Sequence, residues 1–165
     1  RQEFFETAKF ARNPTQSSFP VLEKLIKSLE TAGEEDVDKN QADFLLTASG
    51  FGYQYCKLVN SNCGSVNQYK TLVDAIATFT LNRFNEANQQ SHDQGNSLHS
   101  VIVGLQALGN LNHLTPQAVE VIGKCLTSNS SRVKIHALSA SRRDPCTSLK
   151  NRAMTLLNSL QSGSD

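Results

Sequence analysis

With 165 residues, of which 38% are hydrophobic and 19% charged, the chain can bury one real core and is too short to argue for two domains. A formal net charge of +1 with acids and bases intermixed leaves no footprint for nucleic acid or an anionic membrane, and no apolar run approaches the roughly 18 residues of a membrane span. The chain begins at Arg1, without a Met or a signal-peptide pattern, and is expected to be a processed or excised piece.

In chain order, Phe4, Phe5, Ala8 and Ala11 keep helical spacing until Asn13-Pro14, where proline forbids continuation. Ser18 is expected to N-cap a second helix with Pro20 in its first turn; its stripe is Val21, Leu22, Leu25, Ile26 and Leu29, and Gly33 ends it. The acidic run Glu34-Glu35-Asp36-Val37-Asp38 lacks the alternating oxygen ligands and glycine of a calcium loop and reads as a solvated loop. Phe44 to Val59 forms the next helix, with Phe44, Leu45, Ala48, Phe51, Tyr55 and Leu58 as its apolar side. Gly50-Phe51-Gly52 interrupts it; with no strand before it and no lysine after it, close helix packing explains the glycines better than a phosphate loop. A turn from Asn60 to Gly64 leads into a long helix carrying Tyr69, Leu72, Val73, Ile76, Ala77, Phe79, Thr80 and Phe84. Residues 85–96, rich in Asn, Gln, Ser, Asp and Gly, are expected to form a mobile surface loop.

Three short stripes follow. Leu98, Val101, Ile102, Leu105 and Leu108 make one; Val119, Ile122 and Leu126 the second; Val133, Ala137 and Leu138 the third. The breaks between them, Gly109 to Thr115 and Thr127 to Ser131, are short. Short helices on short turns lie antiparallel against their neighbours, so this stretch reads as stacked helical hairpins. Asp144-Pro145 opens the last helix, with Leu149, Ala153, Leu156, Leu157 and Leu160 as its stripe. Leucines at every core position, where a solenoid's terminal repeat is normally polar, make the chain look cut from a longer stack.

Four cysteines and a sequon at Asn129-Ser130-Ser131 point to an oxidising compartment. Cys56 and Cys63 flank a turn between two helices, and no histidine adjoins them to complete a metal site, so a disulfide is the favoured reading. Cys125 closes one helix and Cys146 opens the helix two further on. An antiparallel stack separates those ends by about 15 Å, against the roughly 7 Å between Cα atoms that a disulfide tolerates, which argues against a bond between them. Of the histidines, His92, His99 and His113 read as ordinary solvated positions. His136 lies ten residues before Cys146, but no third orienting group or oxyanion site accompanies the two, and a thiol enzyme is the weakest reading.

The run Leu45-Leu46-Thr47-Ala48-Ser49-Gly50-Phe51-Gly52-Tyr53-Gln54-Tyr55-Cys56, the second cysteine at 63, and then Leu105-Gln106-Ala107-Leu108-Gly109-Asn110 resemble the large lipid transfer protein family. That family includes vitellogenins, insect apolipophorins, apolipoprotein B and the microsomal triglyceride transfer protein. Ser131-Arg132-Val133-Lys134 through Ala137-Leu138 to Arg142-Arg143-Asp144-Pro145 is similar to the family's next repeat, and the resemblance covers about Phe44 to Leu160. It implies an all-α fold, a right-handed two-layered α–α superhelix of HEAT-like hairpins, with residues 1–165 forming part of one helical domain. It further implies a secreted, extracellular protein in which this segment braces a lipid cavity formed with β-sheet domains of the same parent chain. Lipids are then the partners of the full-length protein; no cofactor, catalysis, nucleic acid or membrane insertion is expected. In this chain "HALSASRR" is more polar than the family's usual helix at that place. Cys125 matches a family cysteine whose partner falls where this chain has Leu156 to Leu160, which leaves Cys146 as a substitute partner or a free thiol. The competing class is a repeat scaffold that binds a protein partner on a concave face.

Overall fold

The computed structural model describes residues 14–29, 39–59, 62–89, 94–143 and 147–161. Seven α-helices and two short 3-10 turns, with no strand, make up the described residues. The helices are α1 (Phe19–Ser28), α2 (Lys39–Leu58), α3 (Asn67–Gln89), α4 (Gln94–Gly109), α5 (Pro116–Cys125), α6 (Ser131–Ser141) and α7 (Thr147–Gln161). The expected helix at 4–11, the acidic run at 34–38, His92 and Asp144-Pro145-Cys146 lie outside the described residues.

Each helix packs on the helix two positions along the chain. α1, α3, α5 and α7 touch in succession, as do α2, α4 and α6, while α2–α3, α3–α4, α5–α6 and α6–α7 pair across the two rows. This is the two-layered α–α array expected from short helices on short turns. Its most extensive contact joins α3 to α4. α4 is the centre: Ser100 to Leu105 are six consecutive buried residues, so the helix is covered on nearly every side, leaving Gln106 in water. Gly104 permits that approach, because a Cβ there would collide with Thr80 on α3. Thr80 is itself buried, its hydroxyl donating back to the Ile76 carbonyl.

The loop expected at 85–96 is corrected at its two ends, residues 90–93 lying outside the described residues. α3 continues to Gln89 and α4 begins at Gln94. Phe84 and Ala87 are buried one helical turn apart and hold the end of α3 against the core, while Asn85, Asn88 and Gln89 face water. A stretch with two anchors among polar residues has the composition of a loop and the spacing of a helix.

Ser18 stands at the N-cap position of α1 but makes no side-chain capping bond. It is buried in the 3-10 turn Gln16–Ser18, its backbone is already helical, and its hydroxyl meets that of Thr15. Pro20 does occupy the first turn of α1. α1 ends at Ser28, short of Gly33, and a guanidinium from another helix supplies its cap: Arg83 donates to the Leu29 carbonyl at 3.1 Å, pairs with Glu86 at 3.0 Å and lies over the Phe79 ring. Val21 and Leu58, both expected inside, are exposed. Leu58 is two residues beyond the buried Cys56 and therefore points to the other side of α2. Phe19 anchors the first repeat instead, meeting the rings of Phe51 at 4.9 Å, Tyr55 at 4.8 Å and Tyr69 at 6.4 Å edge to face. Of the paired glycines, Gly52 has the packing reason: a Cβ would press on Leu111, Tyr69 and Leu72. Gly50 faces open space.

Candidate functional site

The richest cluster of polar side chains lies where the α2–α3 and α4–α5 connections meet at one edge of the array. There a cleft of about 200 Å³ is lined by Tyr69, Lys70, Asp74, His113, Thr115 and their neighbours. Each element has a local reason to be there. The disulfide between Cys56 at the end of α2 and Cys63 in the 3-10 turn Asn62–Ser65, Cα atoms 5.1 Å apart, delivers the chain into α3. This is the bond read from the sequence, and both cysteines are buried. Leu111 is fully buried under α2 and α3 and pins the α4–α5 turn from the other side.

Hydrogen bonds then consume the polar groups. Tyr69 donates its hydroxyl to the His113 carbonyl at 2.7 Å and accepts from the His113 backbone N–H at 3.3 Å. Burial pushes the phenol up to about 12, the His113 backbone bond pulling weakly the other way. Thr115 caps α5 by accepting from the Ala118 N–H at 3.2 Å and donates its proton to Asp74 at 2.5 Å. One hydroxyl thus ends the turn, starts a helix and satisfies a carboxylate on the neighbouring hairpin. A second cation, Arg143, donates to the Gly109 carbonyl at 2.9 Å and ties the end of α4 to the end of α6. Gly109 packs against the Ala140 backbone, which explains the glycine in the Leu-Gly-Asn turn. Chemically the cluster is a latch. Its hydroxyls are committed, that of Tyr69 to the His113 main chain and that of Thr115 to the Asp74 carboxylate and the Ala118 N–H, and its histidine takes part through the main chain.

The other candidate residues stand apart from it. Cys125 is a free cysteine with no surface exposure at the end of α5, and burial pushes its thiol up to about 12. A nucleophilic cysteine needs the opposite shift. Cys146 lies outside the described residues. His99 is exposed on α4 and His136 half-buried on α6. Among the described residues no group of three or more His, Cys, Asp or Glu is placed to hold a metal ion. No described helix is long and apolar enough to cross a membrane. Asn129 is exposed in the turn between α5 and α6. Sequence reasoning missed Asp74, Thr115 and Arg83 as organising residues; Thr115 before Pro116 carried a cap signal that was available.

A two-layered helical repeat whose polar groups are spent on joining its own turns belongs to the class of structural α–α arrays. Comparison with family models places it further: the vitellogenin TPR domain matches residues 2–160, nearly the whole chain. The chain belongs to that family and is a helical segment of the lipid transfer protein type. The match extends the likeness read from Phe44–Leu160 back over the first forty residues. No curated protein and no solved structure gave a match.

Proposed function

We propose that this chain is wall material in a secreted lipid transport or storage protein, bracing a lipid cavity that other parts of the protein line. The observation that carries the reading is how the array spends its surfaces. Each helix packs on the helix two positions away, and most on an immediate neighbour as well, while the polar groups of the central edge hold turn to turn. Among the described residues few large apolar side chains are left exposed, and the cleft at the latch is too small for an acyl chain. A buried disulfide between consecutive helices fits the oxidising route of a secreted protein. The family is a lipid-carrying class, and its domain is structural rather than enzymatic.

Organic extraction of the full-length native protein should yield abundant phospholipid or neutral lipid, and the isolated chain should stay at the bottom of a liposome flotation gradient. A lipid-free native protein would sink the carrier reading. The exposed Ile135, Met154 and Leu157 on the last two helices favour one competing reading, a scaffold for a protein partner. The same extraction decides between them, because a partner scaffold carries no lipid.

A further inference from the structure

We propose that Asn129 carries an N-linked glycan and that the edge of the array bearing it faces solvent in the full-length protein. The inference rests on the secretory reading above, since the modifying machinery acts only in that compartment. Asn129-Ser130-Ser131 is the one Asn-x-Ser/Thr triplet in the chain with a residue other than proline at its centre; Asn13-Pro14-Thr15 is blocked by its proline.

The fold supplies independent reasons. Asn129 is exposed at a bend, and among the described residues no hydrogen bond holds its side chain, so a bulky substituent displaces nothing. The turn that presents it is closed by its own groups. Ser128 accepts from the Ser130 N–H at 3.1 Å, the Ser128 N–H returns to the Cys125 carbonyl at 3.1 Å, and Ser130 caps α6 by accepting from Val133 N–H at 3.4 Å. Turn and cap therefore persist with or without the sugar. Ser131, whose hydroxyl the sequon requires, is exposed at the first position of α6 and free of the capping role that its neighbour performs.

Position decides the second half. α5 spans ten residues, so the Asn129 turn lies about 15 Å from the latch at Thr115, on the opposite edge of the array. The latch edge is where neighbouring hairpins bond to one another. The opposite side also joins repeats, through Arg83 and the Leu29 carbonyl, but the Asn129 turn itself is closed by its own residues, which leaves it the natural place for a hydrated, space-filling group. A glycan there keeps any other part of the protein off the α5–α6 turn. In the transfer step the Asn129 amide nitrogen forms a bond to the anomeric carbon of a lipid-diphosphate-linked oligosaccharide. The anomeric C–O bond to the diphosphate breaks, and the amide releases one proton.

A tryptic map of the full-length protein, purified from its native source without reduction, tests both halves. Peptide Cys125–Arg132 contains the sequon, while residues 40–57 and 58–70 contain the two bridged cysteines. The expected result is a glycosylated Cys125–Arg132 peptide, a linked Cys56–Cys63 pair, and release of the glycan by peptide-N-glycosidase from the undenatured protein. A linked pair with bare Asn129 overturns the glycan and leaves the secretory reading standing. A reduced pair with bare Asn129 overturns both. A glycan released only after denaturation overturns the exposed edge. In the full chain secreted from eukaryotic cells, Asn129→Gln and Ser131→Ala should lose the mobility shift that the wild type shows on deglycosylation, whereas Ser131→Thr should keep it; a shift that survives Asn129→Gln overturns the assignment.

Discussion

The two turns that flank α5 are built on opposite plans. The α4–α5 turn is held from outside: Tyr69 and Asp74 on α3 reach it, Leu111 is sunk beneath it, and Arg143 binds the carbonyl of Gly109 just before it. The α5–α6 turn is held from inside by Ser128 and Ser130, within a few residues of chain. The first kind transmits position from one repeat to the next; the second only reverses the chain. A stack needs the first kind on at least one edge, because each repeat contacts only its neighbours and must take its orientation from them. The second kind leaves an edge free for water, modification or a partner.

Substitutions can break that contrast, and the largest effect should come from the disulfide that feeds the latch. Cys56→Ala with Cys63→Ala should cost roughly 2–3 kcal/mol of unfolding free energy, since the bridge closes a short loop at the entrance to α3. Chemical denaturation measures it, and a loss under 1 kcal/mol would mean the latch positions α3 without the bridge. Thr115→Ala should follow at about 2 kcal/mol, because one hydroxyl serves both as cap and as donor to a carboxylate. Combined with Tyr69→Phe it should be non-additive, as both side chains hold the same turn.

Tyr69→Phe alone should cost about 1 kcal/mol and should flatten the alkaline limb of stability. The sign follows from linkage. Burial raises the phenol from 10.0 to about 12 and the Cys125 thiol from 9.0 to about 12, so the unfolded chain loses these protons first. Stability should hold through neutral pH and fall as the pH climbs from about 9 towards 12, less steeply in the Tyr69→Phe variant. A thermal-melt series across that range checks it, and identical slopes would remove Tyr69 from the account. Smallest of the four, Ser130→Ala should cost about 0.5 kcal/mol, its capping bond being long at 3.4 Å, and couple to neither Tyr69 nor Thr115. Coupling above 0.5 kcal/mol would contradict the separation of the two edges.

Much of this architecture was readable without coordinates. Apolar spacing located the described helices, and Gly109 and Thr115–Pro116 marked a real break. Cys56 and Cys63 announced their bond because only a short turn separates them. The failures share a cause. Ser18 had the residue type and the place of a cap but not its hydrogen bond, and residues 85–89 had the composition of a loop while Phe84 and Ala87 held them helical. Leu58 and Val21 belonged to apolar stripes whose outer flank met nothing.

What the sequence determined by itself was local: where helices run, where they turn, which turn is bridged, and the likeness of its motifs to a lipid-carrier family. What only the tertiary structure decided was which of those pieces hold one another. Tyr69 and His113 are 44 residues apart, Asp74 and Thr115 41, and Arg83 and Leu29 54. Helical periodicity is a signal that repeats every few residues, whereas a bond between hairpins depends on two single positions meeting after the layers have stacked. Before folding, Tyr69 and Thr115 are one more aromatic and one more threonine; the packing of α3 against α4 and α5 makes them the latch.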